Sequence, residues 1–143
     1  MLNDKNIYFD DQYEGEYVNG KFEGKGTYVY DDGEYYMGEW KNGLRNGKGI
    51  LYYENACIKY EGDFSNDKFE GKGKYYFKDG KYYIGEFKNG LKNGKGIQYY
   101  RYGIIQYEGI FVNNKFKGSE KSLNKEEFNI EKIMIKIIFL LFH

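Results

Sequence analysis

The chain has 143 residues, the length of one domain, and its 22 basic and 22 acidic side chains give a formal net charge of zero. This balance excludes strong non-specific attraction to nucleic acid or to an anionic membrane, because both need clustered positive charge. Tyr (18), Phe (11) and Gly (20) are abundant, and an aromatic content of 21% excludes a disordered chain. Because the mean hydropathy is −0.84, we expect a thin structure with partly buried aromatic side chains and no thick aliphatic core.

Residues 1–12 precede the repeats and lack the apolar run of a signal peptide. Leu2 occupies the position where N-myristoylation requires a glycine. Residues 7–9 are predicted to form the last strand of a degenerate preceding repeat, which caps the edge of the sheet. The single cysteine, Cys57, is expected to be a buried thiol, and it favours a reducing, cytoplasmic location.

Five tandem repeats follow, at residues 13–35, 36–59, 60–82, 83–106 and, in part, 107–118. Each begins with Tyr-x-Gly and continues with an aromatic residue and an Asn-Gly-like turn, and the first four then carry Gly-Lys-Gly. Residues 13–59 and 60–106 are identical at 29 of 47 positions, which indicates duplication of a two-repeat unit.

An alternation of period two in each half-repeat predicts two strands joined by a tight turn. In the first repeat Tyr13 and Tyr17 share one face of the first strand, and Asn19-Gly20 supplies the positive φ angles of a hairpin turn. Glycines are expected to leave gaps on this aromatic face in which neighbouring rings lie flat: Gly15, Gly24 and Gly26.

The aromatic residues form files along one face of the predicted sheet. Ring pairs contribute about 0.5–1.5 kcal/mol each beyond area burial, so core packing is one interpretation, and contact with a partner in a concave groove is the other. The two overlap in a fold of one layer. The predicted partner-binding residues are Tyr13, Tyr17, Tyr28, Tyr36, Trp40, Tyr60, Phe64, Tyr75, Tyr83, Phe87, Tyr107 and Phe111.

The opposite face carries four acidic residues that each precede a lysine by nine positions. Across a hairpin these are predicted to form facing or diagonal ion pairs of about 0.2–1 kcal/mol each. The pairs are Glu16–Lys25, Glu39–Lys48, Asp63–Lys72 and Glu86–Lys95. Residues 1–59 carry 7 basic and 11 acidic side chains and residues 60–118 carry 11 and 7, so we hypothesise head-to-tail or antiparallel self-association.

The recurring positions resemble the MORN repeat, Tyr-x-Gly-x-(Phe/Trp/Tyr)-x-Asn-Gly-x-x-x-Gly-x-Gly, over residues 13–118. Asp67 and Asn114 depart from this pattern where the first repeat has Gly20. The resemblance implies an all-β fold: an elongated, single-layer antiparallel sheet of tandem hairpins with aromatic residues lining one face. Arrays of this family occur in junctional membrane proteins, lipid kinases, beside a methyltransferase domain, and in cytoskeletal and flagellar scaffolds, and the family's original association is with phospholipid membranes.

Residues 119–143 differ in composition, and Asn124 with Glu127 predicts the start of a short C-terminal helix. The apolar run after Lys136 is shorter than the roughly 20 residues that span a bilayer. Three interpretations are open: a cap folded on the last hairpin, an interfacial membrane-binding helix, and a truncated or misread terminus. In the second, the predicted membrane contacts are Lys132, Lys136, Phe139, Leu140, Leu141 and Phe142.

No catalytic, cofactor or metal site is predicted. His143 is the only histidine, which excludes a His-based triad within the repeats and a multi-histidine zinc site. We therefore predict a non-enzymatic scaffold that binds protein partners or itself through the aromatic face and does not bind nucleic acid. Its predicted location is the cytoplasm, with cytoskeletal or membrane association. The alternatives are a phospholipid-binding targeting module and an accessory fragment of a larger MORN-containing enzyme.

Overall fold

The computed structural model describes residues 6–9, 11–118 and 125–142. In this part of the chain eleven strands form one sheet, a 3₁₀ turn lies at Arg101–Gly103, and one helix, α1, covers Lys125–Phe142. The strands are β1 (Asn6–Phe9), β2 (Tyr13–Val18), β3 (Lys21–Val29), β4 (Tyr35–Lys41), β5 (Leu44–Tyr52), β6 (Ile58–Ser65), β7 (Lys68–Tyr76), β8 (Tyr82–Lys88), β9 (Leu91–Tyr99), β10 (Ile105–Val112) and β11 (Lys115–Lys117).

The order of strands across the sheet is their order along the chain, from β1 to β11. Every neighbouring pair is antiparallel, so the sheet is a succession of hairpins with no crossover. This open antiparallel sheet, followed by a short C-terminal helix, confirms the predicted fold.

Two-residue turns within the repeats have the predicted geometry. Asn19 and Gly20 have φ angles of 49° and 78° and connect β2 to β3. Asn113 and Asn114 take the same conformation, with φ of 48° and 70°, because asparagine tolerates the left-handed region better than most residues. Positive φ at both central residues gives a turn whose twist matches that of the paired strands.

Each of the first four repeats carries a β-bulge, which strict alternation did not predict. In the first repeat the pairing Gly15↔Gly26 is followed by Tyr17↔Phe22, so a single residue of β2 faces three residues of β3. Gly24 lies in this bulge with φ of 63°. The expectation that Gly24 leaves space for a ring is wrong, because a Cβ there would meet the carboxylate of Glu16.

The core is a strip of rings that lie on the sheet itself. Tyr36 has no exposed surface, and its hydroxyl donates to the carbonyl oxygen of Glu39 at 3.0 Å. Its ring covers Gly49, where a Cβ would collide with the ring, so the glycine gap is required by close packing. The edges of the Trp40 and Phe64 rings meet Tyr36 at centroid distances of 5.1 and 4.9 Å, which links one repeat to the next.

The two ends of the chain differ in how they relate to the sheet. Strand β1 pairs with β2, which confirms the strand predicted at residues 7–9. Helix α1 instead exposes most of its described apolar side chains, such as Ile133 (54%) and Ile137 (49%), whereas Ile138 is half-buried. A helix packed as a cap would bury these side chains, so the interpretation of α1 as a cap is wrong for them. The predicted helix start at Asn124 and the side chain of Phe142 lie outside the described residues.

Candidate interaction surfaces

The sheet has two faces of different chemistry. The ring face carries the rings that cover the glycines: Tyr13, Tyr36, Tyr60 and Tyr83, with Trp40, Phe64, Phe87 and Phe111 between them. The groove face is the opposite one, and it carries the alternating residues Glu14, Lys25, Thr27, Met37, Glu39, Lys48, Ile50 and Glu61.

Most of the predicted partner-binding rings are inaccessible. Eight of the twelve have 6% or less of their surface exposed: Tyr13, Tyr36, Trp40, Tyr60, Phe64, Tyr83, Phe87 and Phe111. These rings are the core, and they cannot contact a partner unless the sheet is disrupted. The other four remain half-buried, and their contact with a partner stays a prediction: Tyr17, Tyr28, Tyr75 and Tyr107.

Sequence reasoning missed a second layer of rings on this face. Phe22 stacks on Tyr13 at 3.8 Å, and Phe69 stacks on Tyr60 at 3.9 Å. Both belong to the Lys-Phe-Glu-Gly segment that only odd-numbered repeats carry, and this shared segment was the available signal. The even-numbered repeats place a basic residue at the position equivalent to the phenylalanine.

The groove face holds an open groove of about 910 Å³ that runs across strands β1 to β6. Backbone forms much of its floor, because the side-chain positions of the glycines that line it point to the ring face: Gly15, Gly26, Gly38, Gly49 and Gly62. Met37 and Ile50 line it beside charged residues, and Met37 is 46% exposed. This groove lies on the face opposite the rings and is therefore not the ring-lined groove that the sequence predicted.

Comparison with known families settles what kind of array this is. The MORN repeat family matches the chain in five segments, at residues 13–35, 36–57, 60–82, 83–101 and 107–119. The chain belongs to the MORN-repeat family. A comparison with curated proteins gave no significant match over this chain.

Acidic residues on the groove face of this MORN array have a role other than the predicted one. Glu39 accepts the backbone N–H of Lys48 at 3.0 Å, and Glu86 accepts that of Lys95 at 2.9 Å, so these carboxylates bind the backbone beside the bulges. The ammonium of Lys48 instead contacts Asp63 of the following repeat at 2.5 Å. The predicted Glu39–Lys48 side-chain ion pair is wrong, and the pair that forms links adjacent repeats.

On the ring face, Arg45 of the second MORN repeat is neutralised within the chain. Its Nε lies 3.2 Å from Asp67 Oδ1, and its Nη2 donates to the carbonyl oxygen of Asp67 at 2.7 Å. The guanidinium carbon is 5.7 Å from the centroid of the Tyr36 ring and 5.3 Å from that of Phe64. This cation is paired, hydrogen-bonded and within range of cation–π attraction.

Lys92 occupies the equivalent position in the fourth repeat, with different neighbours. Its Nζ lies 5.2–5.5 Å from the ring centroids of Phe77, Tyr83 and Phe111, and it donates to Gln98 Oε1 at 2.6 Å. Asn114 replaces the aspartate, and its Oδ1 accepts the backbone N–H of Lys92 at 2.8 Å. Burial without a carboxylate partner lowers the pKa of Lys92.

Two further expectations concern reactive groups. Cys57 is exposed, so the expectation of a buried thiol is wrong: Ala56 takes φ of 63° in the turn before β6 and Cys57 follows it on the surface. Within the described residues, histidine, cysteine and carboxylate side chains nowhere cluster in threes as a metal site would need. Over the same residues, no helix is long and apolar enough to cross a membrane.

Proposed function

We propose that this chain is a non-enzymatic scaffold that binds an elongated segment of a partner protein along the groove face. The single observation that carries the proposal is the open groove of about 910 Å³, which crosses six strands. A partner segment can approach the sheet along this floor, because the side-chain positions of Gly15, Gly38 and Gly62 point to the ring face and leave backbone towards the groove. The family assignment supports an interaction or membrane-binding module in general terms.

Charge along the groove face defines what the segment should carry. The groove over the first half includes Glu14, Glu39 and Glu61 against two lysines. A second cavity of about 460 Å³ continues over the other half, where Lys72, Lys74 and Lys95 outnumber the acidic residues. The complementary segment has apolar residues in its middle, basic residues at one end and acidic residues at the other.

Selection of peptides from a random library on the immobilised full chain, followed by fluorescence anisotropy, tests the proposal. Met37→Glu and Ile50→Glu place charge in the groove and should weaken binding of a selected peptide at least tenfold. Tyr28→Gln is the matched control on the ring face and should change affinity less than twofold. If only the ring-face variant lost binding, or if no peptide bound saturably, the groove assignment would fail.

Self-association is a separate outcome that light scattering on the full chain identifies. The occupant of the groove would then be a second copy of the chain. If the mass doubles with concentration, and if Met37→Glu restores the monomer mass, the occupant of the groove is a second copy of the chain. A constant monomer mass leaves the groove open to the partner segment.

Association with a phospholipid surface is a second candidate function, and helix α1 alone favours it. The end of α1 exposes Phe139 (62%), Leu140 (78%) and Leu141 (72%), while Lys132 and Lys136 are exposed on the same helix. Apolar side chains with neighbouring lysines suit the interface of an anionic membrane.

Co-sedimentation with phosphatidylcholine vesicles, with and without phosphatidylserine, tests this second function. The double variant Leu140→Ser/Leu141→Ser should lose binding, and Met37→Glu should keep it. Failure of the unmodified chain to bind either kind of vesicle would exclude the membrane role. We propose a cytoplasmic location, which the exposed free thiol of Cys57 supports because such a thiol suits a reducing compartment.

A further inference from the structure

The ring face contains a half-buried ammonium group, that of Lys92, beside which an amide replaces the carboxylate found at the equivalent position. In the first half of the array the carboxylate of Asp67 stands beside Arg45. In the second half Asn114 stands in the same place beside Lys92, with φ of 70° against 68° for Asp67. Among the described residues no acidic side chain pairs with Lys92, whose side chain is directed instead to Gln98. The turn conformation is the same at the two positions, and an amide takes the place of the carboxylate beside the cation.

Open space adjoins Lys92 on both sides. One cavity of about 480 Å³ lies toward β11, between Tyr107, Phe111 and Phe116. Another of about 370 Å³ lies toward β7, between Phe69, Tyr75 and Phe77. Lys92 lines both cavities, so a group entering either one meets the ammonium with aromatic rings around it.

Charge in these cavities favours an anion. The larger is lined by two basic residues, Lys92 and Lys115, and by no acidic residue among those described. The cavity beside Arg45 has a volume of about 420 Å³, and it is lined by three acidic and three basic residues: Asp32, Glu34, Asp67, Arg45, Lys59 and Lys68. A charge buried without a partner is costly, and an opposite charge that supplies hydrogen bonds offsets this cost.

We propose that Lys92 is the binding site for a carboxylate carried on an apolar group. The first half of the array shows the arrangement that fits, because Asp67 satisfies a cation at the equivalent position with its side-chain carboxylate. One ammonium, with one of its hydrogens donated to Gln98, matches the single charge of a carboxylate better than the double charge of a phosphate. The rings beside Lys92 hold the apolar group. This site lies on the face opposite the proposed partner groove and goes beyond that function.

Titration of the full chain with 3-phenylpropionate tests the site, with 3-phenylpropanamide as the neutral isostere and inorganic phosphate as the competing anion. The readout is the NMR signal of the Lys92 side chain, assigned with Lys92→Met. The acid should give a saturable shift and raise the pKa of Lys92, and the amide and phosphate should not. Equal binding of the amide, or binding of phosphate alone, would overturn the carboxylate assignment.

Two reciprocal substitutions make the test specific to this pair of positions. Asn114→Asp supplies the missing carboxylate at a φ that aspartate already adopts at position 67, so it should weaken binding of the acid at least tenfold. Asp67→Asn removes the internal counterion of Arg45 and should create a second site, seen as a second saturable shift at Arg45. Unchanged affinity in Asn114→Asp, or no second site in Asp67→Asn, would refute the proposal.

The source of the carboxylate is resolved by two capped peptides. N-acetyl-Phe-Glu-amide presents a side-chain carboxylate, and N-acetyl-Gly-Phe with a free C-terminus presents a terminal one. Tighter binding of either peptide than of 3-phenylpropionate assigns the site to that part of a protein, and weaker binding of both assigns it to a small acid. Met37→Glu should leave all these affinities unchanged, so failure here and failure of the groove proposal are distinguishable.

Discussion

The two halves of the array, residues 13–59 and 60–106, share a backbone but not a surface. Tyr36 and Tyr83 are both completely buried and cover equivalent glycines, Gly49 and Gly96. The residues around these rings differ, because Arg45 beside Tyr36 forms an ion pair with Asp67, whereas Lys92 beside Tyr83 lies among aromatic rings. The comparison teaches that the repeating positions build the sheet, while a few positions between them decide what it can bind.

Substitution of the glycines that the tyrosine rings cover should destabilise both halves equally, and we expect the largest losses of stability here. Gly49→Ala and Gly96→Ala each place a methyl group against the ring of Tyr36 or Tyr83. We expect each to lower the free energy of unfolding by about 1–3 kcal/mol, because overpacking forces the ring to move. Urea denaturation followed by circular dichroism measures the loss.

A turn glycine provides the control for this prediction. Gly20→Asn introduces at φ of 78° a residue that the last hairpin already uses at Asn114, and nothing lies within 4 Å of it. It should change stability by less than about 0.5 kcal/mol. Losses at Gly49 and Gly96 that differed by more than about 1 kcal/mol would show that the two halves are not structurally equivalent.

Sequence periodicity was sufficient to predict the sheet, because turn preferences and strand alternation depend on residues that are close together in the chain. Asn113-Asn114 could be recognised as a turn from the conformation that asparagine tolerates, and Tyr36 could be assigned to the same face as Gly49. The bulge at Gly24 was missed because strict alternation was assumed, although a first glycine in Gly-Lys-Gly is a signal for one.

Surface properties were harder to predict than the sheet because they depend on residues far apart in sequence. The isolation of Lys92 depends on Asn114, which is 22 residues away and reaches it only after the next strand has paired. The groove extends over six strands, a span that no single repeat contains. The sequence therefore predicted which residues alternate, and it did not predict which face would carry the groove.

Removal of the ring-face cations should have different effects on the stability of the protein in the two halves. Arg45→Met leaves Asp67 without two charge-assisted hydrogen bonds and should cost about 1–2 kcal/mol of stability at pH 7. Lys92→Met removes an ammonium that is poorly solvated, and it should leave stability unchanged or raise it. Thermal and urea denaturation of both variants measure this difference. Equal losses would contradict the view that only Arg45 is compensated within the chain.

Alkaline pH tests the core tyrosines that both halves share. Burial raises the pKa of Tyr13 and of Tyr83 to about 12, above the usual 10.0 of a tyrosine. Below pH 10 the phenols are protonated in both the folded and unfolded chain, so stability is retained. Between pH 10 and pH 12 the unfolded chain loses these protons first, and the free energy of unfolding should fall. Urea midpoints measured across this range should decrease steadily.

Tyr83→Phe sharpens the alkaline prediction within one half. The variant loses the hydrogen bond of 3.1 Å to the carbonyl oxygen of Glu86, so its free energy of unfolding should be lower by about 1 kcal/mol at pH 7. It should also make the decrease between pH 10 and pH 12 shallower, because one of the titrating phenols is gone. An unchanged slope would mean that Tyr83 does not contribute to alkaline unfolding.

Substitution of lysines on the groove face should give the smallest difference in stability between the two halves. Lys48 faces Asp63 across β5 and β6, whereas its counterpart Lys95 faces Ile110 across β9 and β10. Lys48→Met should therefore cost about 0.2–1 kcal/mol at low salt and nothing at 1 M salt, because an exposed ion pair is weak and screened. Lys95→Met should cost nothing under either condition, since a methionine beside Ile110 forms an apolar cross-strand pair. A loss at Lys95 that disappears with salt would reveal an acidic partner for it and would make the two halves alike on this face.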